Sequence, residues 1–202
     1  LNLIDGADGL ASGLSLISFV AFGLLFIESQ KWTYAIMAFC SAGVLIAFFY
    51  YNFFHPKGQK IFMGDTGSLT LGYLLSFMMI ALMKTPPPVE GIPSCSYLIV
   101  IISAVFIPLY DAIRVMVVRI LSLRSPFSPD RNHIHHKLID LGLSRRKAVV
   151  VILFMGIFLY LLNYALAFLV ACTPLFIINI AISIIIAITL ILLTRNKIRK
   201  TK

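Results

Sequence analysis

Three polar stretches in an otherwise apolar chain hold the residue types that could do chemistry. In 125–147, SPFSPDRNHIHHKLIDLGLSRRK, His133, His135 and His136 stand beside Arg131 and Lys137. Imidazoles donate hydrogen bonds and the basic groups supply charge, a combination suited to an anion such as a phosphate. Three histidines could also hold a transition metal, but no cysteine is near and a zinc site built on histidine needs a further ligand. A solvated basic loop that only orients the chain is the plainer alternative. Were the segment helical, His133 and His136 would share a face and His135 would point elsewhere.

The carboxylates this loop lacks lie in NLIDGADGL at 2–10 and FMGDTGS at 62–68. Asn2, Asp5 and Asp8 recur every three residues, one face of a helical turn. Gly6 and Gly9 instead allow a tight or broken backbone. Facing carboxylates repel unless a cation or proton intervenes; acids at a helix N-terminus are the ordinary alternative. Asp65, between Gly64 and Gly67, suits Mg²⁺, which takes few protein oxygens and leaves places for substrate phosphates. GDTGS would equally serve as a helix cap. Asn52 and Phe62 bracket the loop before Asp65. They are either interfacial packing or a base pocket, in which a ring stacks on a nucleobase and an amide pairs with its edge. Asp111 and Arg114, three apart near a span end, read as a mutual ion pair.

The elements that must position these groups are membrane helices. Of 202 residues 60% are hydrophobic and 12% charged, with mean hydropathy +0.97; soluble domains carry about 25% charged residues. A span needs about 20 mostly apolar residues. The runs 9–27, 32–56, 66–83 and 91–110 supply one each. The uncharged run 148–194, at about 1.5 Å per residue, is twice the membrane thickness and must fold back, with Thr173–Pro174 as the expected turn. The fold expected is all-α, a single polytopic membrane domain over 1–202 of about six helices, with no discontinuous half-helix. In 132–141 a short helix ended by Gly142 is expected, with Ser144 capping the next span. Cys40, Cys95 and Cys172 show no CxxC spacing and read as small buried hydrophobes, with no disulfide framework.

Six spans put both ends on one side, together with loops 52–66 and 120–147. Fifteen of the 17 Lys and Arg fall on that side, with Arg114 and Arg119 leading into the second loop, leaving Lys31 and Lys84 opposite. Positive charge stays inside, so that face is expected to be cytoplasmic, at the inner membrane. The net charge of +9 is thereby read as orientation in the lipid bilayer, with no nucleic-acid partner. Six of the eight acids, among them Asp5, Asp8, Asp65 and Asp111, fall on the same face.

Taken together, NLIDGADGLASG, FMGDTGSLTLGYLL and SPFSPDRNHIHHKL resemble the polyprenyl-phosphate N-acetylhexosamine-1-phosphate transferase family, in order and spacing across about 140 residues. HIHH after PDR looks like the branch using UDP-N-acetylglucosamine. The resemblance implies transfer of a sugar-1-phosphate from a UDP-N-acetylhexosamine to polyprenyl phosphate, releasing UMP, with Mg²⁺ (or Mn²⁺) as cofactor, at the start of cell-envelope glycan synthesis. It implies Asp65 and Asn2 as metal ligands and Asp5 as support for the metal and diphosphate. Asp8, Asn52 and Phe62 would line a uridine pocket. His133, His135 and His136, with Arg131, would hold diphosphate and sugar. The family carries a further half with an acidic DDxxD-like motif, so the chain is expected to be the C-terminal part of a larger bundle, with a homodimer as a further partner. The rivals are a transporter or channel with a cation site at the inner face, and a zinc-binding membrane scaffold.

Overall fold

The computed structural model describes residues 1, 6–56, 58–87, 91–126 and 132–200. All regular structure among them is helical: α1 (Leu10–Glu28), α2 (Trp32–Phe49) running into a π-helical turn (Tyr50–Phe54), α3 (Gly64–Met83), α4 (Ser94–Ser103), α5 (Phe106–Leu121), α6 (Ile134–Asp140), α7 (Arg145–Leu166) and α8 (Cys172–Lys200). Five helices are long and apolar enough to cross a membrane, or six if the bent pair α4–α5 counts as one span.

The bundle is built around α1. Its Phe19, Phe22, Leu25 and Phe26 are fully buried, and against them pack Ala35, Ala38 and Ala42 of α2, Met78 and Leu82 of α3, and Val100 and Ile101 of α4. Alanines on the α2 face let the two backbones approach closely, the usual solution where lipid removes any hydrophobic drive between helices. The outer helices turn large apolar side chains outward, such as Val44, Tyr73 and Phe154. That would be costly in water and is ordinary against lipid tails.

The fourth apolar run does not cross as one rod, contrary to expectation. α4 and α5 meet at 77°. Pro108 supplies the reason. It has no N–H to donate to the carbonyl four residues earlier, and its ring crowds that position. That carbonyl belongs to Ala104, at the break. The Ser18 hydroxyl of α1 takes it up at 2.6 Å, with the Leu14 carbonyl as a second acceptor at 2.9 Å. A bare carbonyl in a membrane core is expensive, and a broken span persists only where a neighbour satisfies it. Sequence hid the break because an uninterrupted apolar run looks the same straight or bent.

Two further polar contacts fix α8. Asn163 of α7 and Asn179 of α8 exchange amide hydrogen bonds at 3.1 and 2.6 Å, and the Tyr110 hydroxyl of α5 donates to the Ser183 carbonyl at 2.7 Å. The turn before α8 comes earlier than expected. α7 ends at Leu166, and Pro174 sits inside the first turn of α8, where a missing N–H costs nothing.

The cysteine expectation fails in the same region. Cys95, at the start of α4, and Cys172, at the start of α8, form a disulfide with Cα atoms 5.7 Å apart. They are 77 residues apart in sequence, and only the packing of the two helix starts makes them partners. Both lie at the end of the bundle opposite loop 55–63 and α6. Cys40 is a free, exposed thiol in α2 rather than a buried one.

Candidate functional site

Backbone geometry brings the first two motifs together. Gly9 adopts φ +85, a left-handed conformation that turns the chain into α1. A Cβ there would lie 2.5 Å from the Phe53 ring, so only glycine fits the approach. The π-helical turn at the end of α2 swings Asn52 inward, where it is buried. Its Oδ1 accepts the Gly9 N–H at 2.5 Å, and its Nδ2 donates to the Ile61 carbonyl at 2.7 Å. One amide thus staples the first motif to the loop that leads into the second. This differs from the edge-pairing role that the residue type suggested, since both ends of the amide are already engaged by backbone.

The result is a cavity of about 370 Å³, lined by Gly6, Ala7, Asp8, Asn52, Phe62, Met63, Gly64 and Asp65. Asp65 occupies the first turn of α3 and is exposed to it; its carboxylate also sits at the positive end of that helix. Asp8 is ion-paired with Lys60 at 2.7 Å. Phe62 is 80% exposed, a free aromatic face at the rim. Four of the expected site residues, Asp8, Asn52, Phe62 and Asp65, therefore share one wall. Asn2, Asp5 and Arg131 lie outside the described residues.

The histidines stand behind this wall rather than on it. His133 is extended (φ −61, ψ 152), immediately before α6, so the helical face expected to pair it with His136 does not form. Its ring instead lies nearly parallel to that of His135, centroids 5.9 Å apart, and His135 in turn meets His136 at 4.1 Å. The His135 ring packs on Gly6, where an added Cβ would come within 3.2 Å of Nε2. Gly6 is thus shared between the cavity and the histidine cluster. Gly142 (φ +100) follows α6, and Ser144 caps α7 by accepting the Lys147 N–H at 3.4 Å, as their residue types predict.

His135 is 2% exposed, and among the described residues neither ring nitrogen has a hydrogen-bond partner. Burial, and then the neighbouring His136 and His133, pull it down to about 4 from the usual 6.5. It therefore serves near neutral pH as an uncharged ring. A stability effect follows, with its sign set by the depressed value. Above pH 6.5 the folded and unfolded ring are both neutral. As the pH falls from 6.5 toward 4, the unfolded chain takes a proton that the folded site refuses. The fold should lose up to about 3 kcal/mol over that window. Melting His135→Phe beside the parent at pH 7.0 and pH 4.5 checks this: the parent should lose more on acidification, and equal losses would refute it.

Sequence reasoning underrated Asp111. Its Oδ1 accepts from Arg114 at 2.8 Å, the ion pair expected, but also from the Ile134 N–H at 3.1 Å, while Oδ2 meets His133 Nδ1 at 2.9 Å. Arg114 donates as well to the Asn132 carbonyl, and Arg119 to that of Pro126. The only sequence signal was an acid and an arginine at a span end beside a basic loop.

Asp65 is an oxygen donor on the cavity wall of the kind that Mg²⁺ takes. Asp65 offers an exposed carboxylate on a roomy polar wall, and Mg²⁺ is usually held by one or two carboxylates with substrate phosphates and water completing the shell. Among the described residues no group of three His, Cys, Asp or Glu side chains is placed to hold a metal ion.

Comparison with known proteins agrees with the motifs. The pattern of Glycosyl transferase family 4 matches residues 1–83. The chain is 37% identical over 157 residues to the probable undecaprenyl-phosphate N-acetylglucosaminyl 1-phosphate transferase of Bacillus subtilis (strain 168), covering 77% of this chain and 41% of that protein. It is 34% identical over 152 residues to the undecaprenyl-phosphate alpha-N-acetylglucosaminyl 1-phosphate transferase of Escherichia coli (strain K12), covering 75% and 40%. It is 33% identical over 174 residues to the decaprenyl-phosphate N-acetylglucosaminephosphotransferase of Mycobacterium tuberculosis (strain ATCC 25618 / H37Rv), covering 78% and 42%. The match thus spans about two-fifths of the length of these relatives.

Proposed function

We infer the reaction from the family: the chain belongs to glycosyl transferase family 4, and the complete protein transfers N-acetylglucosamine-1-phosphate from its UDP-sugar to polyprenyl phosphate, releasing UMP. The observation that carries this reading is the single polar cavity formed by Asp8, Asn52, Phe62 and Asp65. Asp8 comes from the first motif, Phe62 and Asp65 from the second, and Asn52 from the π-helical turn that ends the helical hairpin between them.

Each group has a task in such a transfer. Cleaving a diphosphate asks little covalent chemistry of the protein; it asks for in-line positioning and neutralised charge. Asp65 would hold Mg²⁺, which when bound supplies charge for the diphosphate oxygens. The exposed Phe62 ring offers a stacking face for uracil. Asn52 acts through backbone, fixing Gly9 and Ile61 so that the walls keep their spacing. Asp8 and Lys60 form the charged rim. Beside the bend, an apolar groove of about 200 Å³ lined by Gly72, Leu75, Met79, Val105, Pro108 and Leu109 suits a polyprenyl chain. The distribution of Lys and Arg favours a cytoplasmic location for this face, where a soluble nucleotide sugar meets a lipid phosphate.

A transporter is the competing reading, and the bent α4–α5 pair gives it one feature that sequence did not show. Against it, Asp111 and Arg114 pair with each other and, like Arg119, are engaged by His133 or by loop carbonyls, so they are tied to the loop rather than strung along a path through the bilayer. The deciding assay supplies the complete protein in vesicles with UDP-N-acetylglucosamine and undecaprenyl phosphate. Mg²⁺-dependent UMP release with formation of the lipid-linked sugar is expected; sugar-nucleotide flux without UMP release would favour transport.

A further inference from the structure

We propose that Asp111 is a positioning residue for the transfer, one that fixes His133 in a single tautomer and presents its Nε2 as a proton acceptor. The inference rests on the transferase reading for its kinetic consequence, but its structural content stands without that reading.

The carboxylate is 3% exposed, and its two oxygens have different work. Oδ1 faces two donors, Arg114 and the Ile134 N–H. Neither can reverse its role, because a guanidinium and a backbone amide only donate. Oδ2 faces His133 Nδ1 at 2.9 Å. Arg114 neutralises the carboxylate, so the oxygen acts as an acceptor and the proton of this contact belongs to the ring. His133 Nδ1 is therefore the N–H, and a neutral ring keeps its lone pair on Nε2. The Ile134 N–H bond adds a second constraint, since it ties the first turn of α6 to the same oxygen pair. Ring, tautomer and helix start are set by one side chain, in the way that a buried carboxylate orients a catalytic imidazole.

This separates the three histidines by role. His135 is buried against Gly6 and is an uncharged packing ring. His133 is held by a carboxylate that decides which nitrogen can act. A loop that reads as a uniform basic patch thus holds one ring with a fixed lone pair on Nε2, the form needed to take the proton of a monoprotonated acceptor phosphate.

Asp111→Asn makes a sharp test because the donors on Oδ1 are obligate. The asparagine oxygen must take the position facing Arg114 and Ile134, which turns its NH₂ toward His133. The ring must then accept at Nδ1 and carry its proton on Nε2. Histidine-selective ¹⁵N spectra of the complete protein in lipid nanodiscs, assigned by a His133→Gln control, should show a protonated Nδ1 in the parent and a protonated Nε2 in Asp111→Asn. In the transfer assay kcat should fall at least about 100-fold in Asp111→Asn with KM for UDP-N-acetylglucosamine within about threefold, and Asp111→Glu should recover at least about tenfold of that loss. A parent ring protonated on Nε2 overturns the proposal outright, and this reading is available even if the variants do not fold. An unchanged tautomer in Asp111→Asn, or an Asp111→Asn enzyme with near-parental kcat, overturns it too. A parent protein with the expected tautomer but no UMP release leaves the tautomer assignment standing and sinks the transferase reading instead.

Discussion

Asp65→Ala should abolish UMP release by the complete protein, lowering it at least about 1,000-fold. Asp65 is the carboxylate on the cavity wall that is both exposed and without a basic partner in the described ion pairs; Asp8, by contrast, is held by Lys60. If Asp65 holds the cation, its loss removes the main charge that offsets the diphosphate, and electrostatic contributions of that kind are worth several kcal/mol each. The check is UMP release by purified parent and variant in nanodiscs, each stripped with EDTA and then titrated with Mg²⁺. The parent should recover fully on Mg²⁺ return and the variant should not at any concentration. Turnover in Asp65→Ala within about tenfold of the parent would show that the cation is held elsewhere.

The second large effect concerns the fold of the site rather than its chemistry. Gly9→Ala should destabilise the protein by about 3 kcal/mol or more. The left-handed backbone at φ +85 already costs a residue bearing Cβ about 1–2 kcal/mol. The new atom would also meet Phe53 at 2.5 and 3.1 Å and Phe49 at 3.1 Å. Those rings are stacked on each other, centroids 5.1 Å apart, so neither can give way alone. Relief would have to come from moving Gly9 off Asn52, breaking the bond that joins the motifs. Gly43→Ala is the control, because in α2 nothing lies within 4 Å of its added Cβ and a helical position gains from alanine. Thermal unfolding in one detergent should show a large drop for the first and none for the second; matching melting temperatures would mean that the close approach at Gly9 is not needed.

What sequence carried well was whatever depends on local composition. Charge-free runs of the right length marked the spans, and glycine and serine types marked the end of α6 and the start of α7. The four residues of the cavity wall could be named in advance from the family resemblance of the motifs; residue type alone marked Asp8 and Asp65 against the apolar background and left Asn52 and Phe62 open between packing and a base pocket. Partnership did not carry. The Asn52 amide looks free on paper and is spent on Gly9 and Ile61 in space. Asp111 has an evident partner three residues away, and its second, His133, lies 22 residues on, across a loop. The break at Ala104 needed both Pro108 and the hydroxyl of Ser18, 86 residues earlier, to make sense. Pairings between distant segments are set by packing, which no window of sequence contains.

The bond between Cys95 and Cys172 bears on where the protein can mature. Thiols stay paired in oxidising surroundings and are kept reduced in the cytosol, so that end of the bundle should face the exterior. The chain has no other cysteine but Cys40, midway along α2, which leaves the cavity wall without a thiol, the Met63 thioether being its sulfur. A chain inserted upside down would keep the Cys95 and Cys172 thiols apart. Non-reducing electrophoresis thereby becomes a record of insertion, independent of whether the enzyme ever turns over.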